Sequence, residues 1–318
     1  MKKPKALKFG DTIGLVAPSS PTRDPENVDL SVKKLKEMGF KVKVGESCYE
    51  SYGYLAGRDE VRARDINAMF ADKNVDGILC LRGGYGTPRI VDKLDYDVIK
   101  ENPKVFIGYS DITAIHIALN QKCKLVTFHG PMASSDMIGD FDDFTRESLM
   151  KAITLKEPLG KLDNPEGIAI KCLFPGRACG PITGGNLSLI ASTIGTKYEI
   201  DTRGKLLLIE EIDEEPYRID RMLTQLRLAG KFDDCRGLII GDFKNCVPRT
   251  SNPSLTLMEI FEDIIPSRKP AIYNFMAGHC KPKITVPLGV EAELDATACT
   301  LTLKESAVIK KRCQPPEN

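Results

Sequence analysis

The chain has 318 residues, 42% of them hydrophobic and 28% charged, and its 45 Lys and Arg nearly balance 44 Asp and Glu for a net charge of +1. That length allows two domains, each large enough to bury its own core. The balanced charge gives no electrostatic footprint for nucleic acid or an anionic membrane, and fits a small, near-neutral ligand better.

Residues Met1 to Lys8 are basic but lead into Phe9-Gly10-Asp11. They lack the apolar run of roughly 7–15 residues that forms the core of a secretion signal. No stretch approaches the roughly 18 apolar residues of a membrane span. The ten cysteines include no Cys-x-x-Cys pair, and several lie in apolar runs such as Ile78-Leu79-Cys80-Leu81. They read as reduced thiols of a cytoplasmic protein.

Strand and helix patterns then alternate along the chain. Thr12 to Ala17 is an apolar run ending at Pro18-Ser19-Ser20-Pro21; Leu30, Val32, Leu35 and Met38 mark an amphipathic helix; Phe40 to Val44 is extended again. Val61, Ile66, Met69 and Phe70 mark a second helix, followed by strands at Gly77 to Leu81 and Val105 to Gly108. A helix at Ile112 to Leu119 and a strand at Leu125 to Phe128 come next. This order predicts an α/β fold whose parallel sheet is covered on both faces, with ligand sites at the carboxyl ends of its strands.

A helix through Ser148, Leu149 and Ile153 leads into 155–177, rich in Pro, Gly and Lys and weak in periodicity. That stretch is expected to link an N-terminal domain, 1–154, to a C-terminal domain, 178–318. Beyond it Gly184 to Gly195 opens a helix, Lys205 to Ile209 is a strand, and Tyr217 to Leu228 is a helix with Ile219, Met222, Leu223 and Leu226 on one face. Gly237 to Ile240 is a strand, and Val286 to Leu303 reads as an antiparallel hairpin turning at Leu294-Asp295-Ala296. The tail from Lys310 is expected to fray.

Four segments carry chemistry. In Phe106-Ile107-Gly108-Tyr109-Ser110-Asp111 an apolar strand runs through a glycine into a serine, and a helix begins at once. That is the context of a nucleophile elbow, although Ile112 stands where the second glycine is usual; Ser110 or Asp111 as a plain helix cap fits the same residues. Leu81-Arg82-Gly83-Gly84-Tyr85-Gly86 ends another strand. Its N–H groups could hold an oxyanion together with that of Asp111, or the glycines could form a tight turn with no ligand. They do not match G-x-G-x-x-G, so no dinucleotide cofactor is expected.

Of the three histidines, His116 lies about 240° around the helix from Ser110 and cannot face it. His129 and His279 each end a strand and are rivals for the general base. Glu210 and Glu211 end the strand at 205–209 and point to opposite faces, so either could orient the base, while a solvated acidic run with Asp213, Glu214 and Glu215 is the alternative. No His-x-x-x-His, Cys-x-x-Cys or clustered Asp and His spacing calls for a metal.

Seven motifs in order resemble the LD-carboxypeptidase family of serine peptidases, which includes the microcin C self-immunity proteins. They are Val16-Ala17-Pro18-Ser19-Ser20, Arg82 to Gly86, Gly108 to Asp111, Phe128-His129-Gly130-Pro131-Met132, Gly184-Gly185-Asn186-Leu187, Glu210-Glu211 followed by Pro216 to Arg221, and Gly278-His279 followed by Val286 to Gly289. The resemblance spans roughly Lys8 to Leu303. It implies a flavodoxin-like N-terminal domain, a smaller β-rich C-terminal domain and a homodimer. It further implies a triad of Ser110, Glu210 and His279 with an oxyanion hole at the N–H groups of Gly84 and Asp111, leaving Gly83, Tyr85 and His129 as substrate-binding candidates. Glu211 departs from the family pattern, standing where Asp is usual.

The activity implied is removal of the terminal D-alanine from murein tetrapeptides in the cytoplasm, with no cofactor. Cleavage of peptidyl or aminoacyl nucleotides is an alternative that calls for an aromatic platform, and the chain has no Trp. A binding module without catalysis is the other.

Overall fold

Residues 1–310 are described by a computed structural model of the chain; the rest of the tail expected to fray lies outside the described residues. The first half alternates strand and helix: β1 (Thr12–Val16), α1 (Glu26–Glu37), β2 (Lys41–Val44), α2 (Asp59–Ala71), β3 (Gly77–Cys80), α3 (Tyr96–Glu101), β4 (Val105–Gly108), α4 (Thr113–Ala118), β5 (Thr127–His129) and α5 (Asp143–Thr154). The strands β5, β4, β3, β1 and β2 lie side by side in that order, all parallel. Every residue of β3 and β4 is buried, which is why these strands read as unbroken apolar runs rather than alternating ones.

On α1 the buried positions are Val28, Ser31 and Leu35, while Leu30 is exposed. Spacings of three and four put 28, 31 and 35 on one stripe, and Leu30, two residues from 28, falls off it.

The second half comprises β6 (Gly160–Lys161), β7 (Lys171–Phe174), β8 (Arg177–Asn186), α6 (Leu187–Ser192), β9 (Leu206–Ile212), α7 (Pro216–Leu228), α8 (Lys231–Asp234), β10 (Gly237–Lys244), α9 (Leu257–Ile264), β11 (Ala271–Tyr273), β12 (Val286–Leu288), β13 (Glu291–Asp295) and β14 (Thr300–Leu303). Eight of these strands form a mixed sheet in the order β6-β14-β13-β8-β9-β10-β11-β7, with β8 to β11 parallel at its centre. The stretch expected to be a bare linker therefore supplies the two edge strands, β6 and β7. The closing hairpin is also shorter than its alternation suggested. Only β13 and β14 pair with each other, whereas β12 crosses to the first sheet and lies antiparallel to β5, with Val286 opposite His129.

That crossing fastens the two sheets together. One continuous apolar cluster contains Leu15, Leu79, Ile107 and Phe128 from the first sheet and Ile182, Leu206, Leu208 and Ile239 from the second. The architecture is a two-domain mixed α/β fold with a shared core. No helix of the described residues is long and apolar enough to cross a membrane.

Candidate active site

The chain leaves the fully buried β4 at Gly108, passes through an extended Tyr109, and turns sharply at Ser110, whose φ is +63°. A residue with a Cβ in the left-handed region costs on the order of 1–3 kcal/mol, so the turn is held there by its surroundings. A short 3₁₀ turn over Ser110–Ile112 feeds α4. The result is a partly exposed hydroxyl lifted to the carboxyl end of the sheet. His116, six residues on, is fully buried and donates Nε2–H to Gly108 O at 2.8 Å, fixing the strand end from behind. Burial pushes its pKa down to about 4.

The loop after β3 packs against this turn. Gly83 is so close that a methyl group on it would sit 3.3 Å from Ser110 Oγ. The Asp111 carboxylate, buried beneath, accepts from Ser19 Oγ at 2.5 Å and from the Thr87 N–H at 2.9 Å, while its backbone carbonyl accepts from the Thr87 hydroxyl. Asp111 thus ties three loops together, and burial raises its pKa.

From the other sheet come Glu210 and His279. Glu210 is fully buried near the end of β9, and its Oε2 lies 2.7 Å from His279 Nδ1. A carboxylate at that nitrogen fixes the proton on Nδ1 and leaves Nε2 free to accept one. The imidazole packs edge-on against the Tyr109 ring, centroids 4.9 Å apart, which brings it beside the residue preceding Ser110. Gly278 makes the approach possible. Its φ is +115°, and a methyl group there would lie 2.6 Å from Glu210 Oε2. Gly278→Ala should therefore displace the pair and lower kcat about a hundredfold, as misplaced reacting groups do. Steady-state kinetics showing less than a twofold change would contradict this placement.

Glu211 points the other way. It accepts from Asn186 Nδ2 at 2.8 Å and from the Ser188 N–H and hydroxyl at 2.7 Å each, a network that holds the start of α6 and leaves it no part in the His279 pair. Burial raises its pKa. His129 needs a correction as a cleft-lining candidate: it is buried behind Tyr109, rings 5.9 Å apart, so it does not reach the open face, and burial holds its pKa well below the usual value. Gly84 and Tyr85 are exposed on the rim.

Two residues that sequence reasoning passed over, Lys283 and Asp136, complete the surroundings of Tyr109. The buried Lys283 Nζ lies 2.5 Å from Asp136 Oδ1 and 4.0 Å from the centre of the Tyr109 ring, and Tyr109 donates its hydroxyl to the same Asp136 oxygen at 3.2 Å. This anchored ring is the wall against which His279 rests. Lys283 carried no local signal, because lysine is almost always solvent-exposed.

Residues 13–130 match the LD-carboxypeptidase N-terminal domain, and residues 179–294 match the LD-carboxypeptidase C-terminal domain. A probable murein peptide carboxypeptidase of Bacillus subtilis (strain 168) is 46% identical over 315 residues, covering 97% of this chain and 94% of its own. Among solved structures, an active-site mutant of the microcin C7 self-immunity protein without ligand superposes with a TM-score of 0.88 at 25% identity, covering 97% of this chain and all of that one. The muramoyltetrapeptide carboxypeptidase from Oxalobacter formigenes superposes with a TM-score of 0.79 at 28% identity, covering 92% and 97%. With both halves matched in order and a relative this similar along its whole length, the chain belongs to the LD-carboxypeptidase family.

Proposed function

We propose that the protein is a serine carboxypeptidase that hydrolyses the L,D-peptide bond before the terminal D-alanine of murein tetrapeptides. The observation that carries this reading is the buried Glu210–His279 pair held against Tyr109, next to a serine on a strained strand-to-helix turn. In this reading His279 Nε2 takes the Ser110 proton while Oγ bonds to the scissile carbonyl carbon. The N–H groups of Gly84 and Asp111 hold the resulting oxyanion. His279 then gives the proton to the leaving amine as the C–N bond breaks. Water, deprotonated by the same nitrogen, releases the acyl group and restores Ser110.

Residues 1–154 then carry the nucleophile and 178–318 the acid and base, joined through 155–177, so turnover depends on the docking that β12 secures. Residence in the cytoplasm, assembly as a homodimer and a role in cell-wall recycling belong to the same reading. A second reading is hydrolysis of peptidyl or aminoacyl nucleotides, favoured by the likeness to the microcin C7 self-immunity protein.

A serine-directed fluorophosphonate should add once to the protein, and peptide mapping should place the adduct on Ser110. Absence of any adduct would return the protein to the class of non-catalytic binding modules.

A further inference from the structure

We propose that Tyr54 and Tyr85 form a stacking platform for a sugar ring carried at the amino end of the substrate peptide. This rests on the murein-peptide reading and names a part of the substrate which that reading leaves free.

Tyr54 is 63% exposed and Tyr85 49%, and their rings meet at 5.6 Å with planes at 63°, two walls of an open corner. The loops beneath are firmly held. Tyr52 and Leu55 exchange backbone hydrogen bonds at 2.8 and 3.1 Å, and the Ala56 N–H donates to Ser19 O at 2.9 Å. The Tyr85 N–H donates to Ser20 Oγ at 3.1 Å. The fully buried Arg62 donates to Pro18 O and to Gly86 O, tying the loop after β1 to the loop that carries Tyr85. Large aromatic faces kept in water on rigid backbone are pre-organised for a ligand, and tyrosine offers a flat apolar face together with a hydroxyl rim. A sugar ring presents the same pairing of an apolar C–H face and a polar edge.

The position of the corner selects the amino end of the substrate. Along the carboxyl ends of the first sheet, Ser110 follows β4, Tyr85 follows β3, and Tyr54 follows β2, while His279 rests on the Tyr109 ring, which also meets His129 of β5, and Lys283, four residues on, pairs with Asp136 in the segment after β5. His279 protonates the leaving amine, so the departing residue lies on the β5 side and the acyl portion runs towards β3 and β2. From β4 to β2 are three strand spacings, about 14 Å. A tetrapeptide that loses its last residue keeps three on the acyl side, spanning at most about 11 Å when extended. Whatever precedes the first residue therefore arrives over the tyrosines, and in a muramoyl peptide that is a sugar. A nucleotide cleaved from a peptidyl nucleotide would instead be the leaving group, on the opposite side of Ser110.

The test compares kcat/KM for muramoyl-tetrapeptide and for the free tetrapeptide. Wild type should favour the sugar-bearing form about five- to tenfold, the size of an aromatic contact. Tyr54→Ala should bring the ratio towards one, and Tyr54→Phe, which keeps the ring, should preserve it. Equal wild-type values, or a ratio that survives Tyr54→Ala, would overturn the platform. So would a lower sedimentation coefficient for Tyr54→Ala, which would mean that a second copy of the chain covers the corner. Cleavage of neither peptide would overturn the peptidase reading itself, and the platform with it.

Discussion

Ser110→Ala should lower kcat by a factor of about a thousand or more while leaving the melting temperature unchanged. The side chain is partly exposed at the carboxyl end of β4 and is not among the residues of the apolar clusters, so removing the hydroxyl creates no cavity. Alanine meets the same left-handed strain at φ +63° as serine, so the turn is no worse off. What disappears is the only group in the proposed chemistry that bonds to the carbonyl carbon. Residual activity above about a thousandth of wild type would assign the nucleophile elsewhere.

His279→Ala should be as damaging to kcat, and the Ser110→Ala, His279→Ala double variant hardly worse than either, because residues that pass one proton act as a unit. Unlike the serine variant, it should also lower stability. Glu210 is fully buried, and its Oε2 faces His279, so removing the imidazole strands a carboxylate away from water. Thermal melts and kinetics on the three variants separate the two effects. Multiplicative losses in the double variant would contradict a shared proton path, and a larger loss from His129→Ala would mean that the base is the other histidine.

What could be read from the sequence was what is local. The strand, turn and helix around Ser110 occupy 14 consecutive residues, Val105 to Ala118, so their pattern is complete within one window. Glu210 and Glu211 were separable onto opposite faces by strand alternation, but which of them meets His279 depends on distant contacts, Glu211 being taken up by Asn186 and Ser188, about 25 residues away in the chain. The choice between His129 and His279 was not legible from spacing at all. The Glu210 contact that sets His279 apart joins positions 69 residues apart in the chain, and motif resemblance alone favoured His279.

Strand β8 was missed because it is spelled with Gly180, Pro181, Gly184 and Gly185, residues depleted in strands, and no apolar alternation survives them. Helix α9, by contrast, announced itself: Thr256 and Glu259 form a capping box at its start, a signal present in the sequence and passed over. The contact between the exposed Tyr54 and Tyr85 rings joins positions 31 apart and had no counterpart in any local pattern.

The most direct measurement is mass spectrometry of products after incubation with a murein tetrapeptide and with its all-L isomer. A carboxypeptidase has to hold the free terminal carboxylate while keeping the scissile carbonyl against Ser110 and the Gly84 and Asp111 amides. These points together fix the chirality of the leaving residue, and a displaced reacting group costs about a hundredfold in rate. The account calls for release of the terminal D-alanine from the L,D peptide and almost none from the all-L peptide. Comparable kcat/KM values on the two, or no release from either, would contradict it.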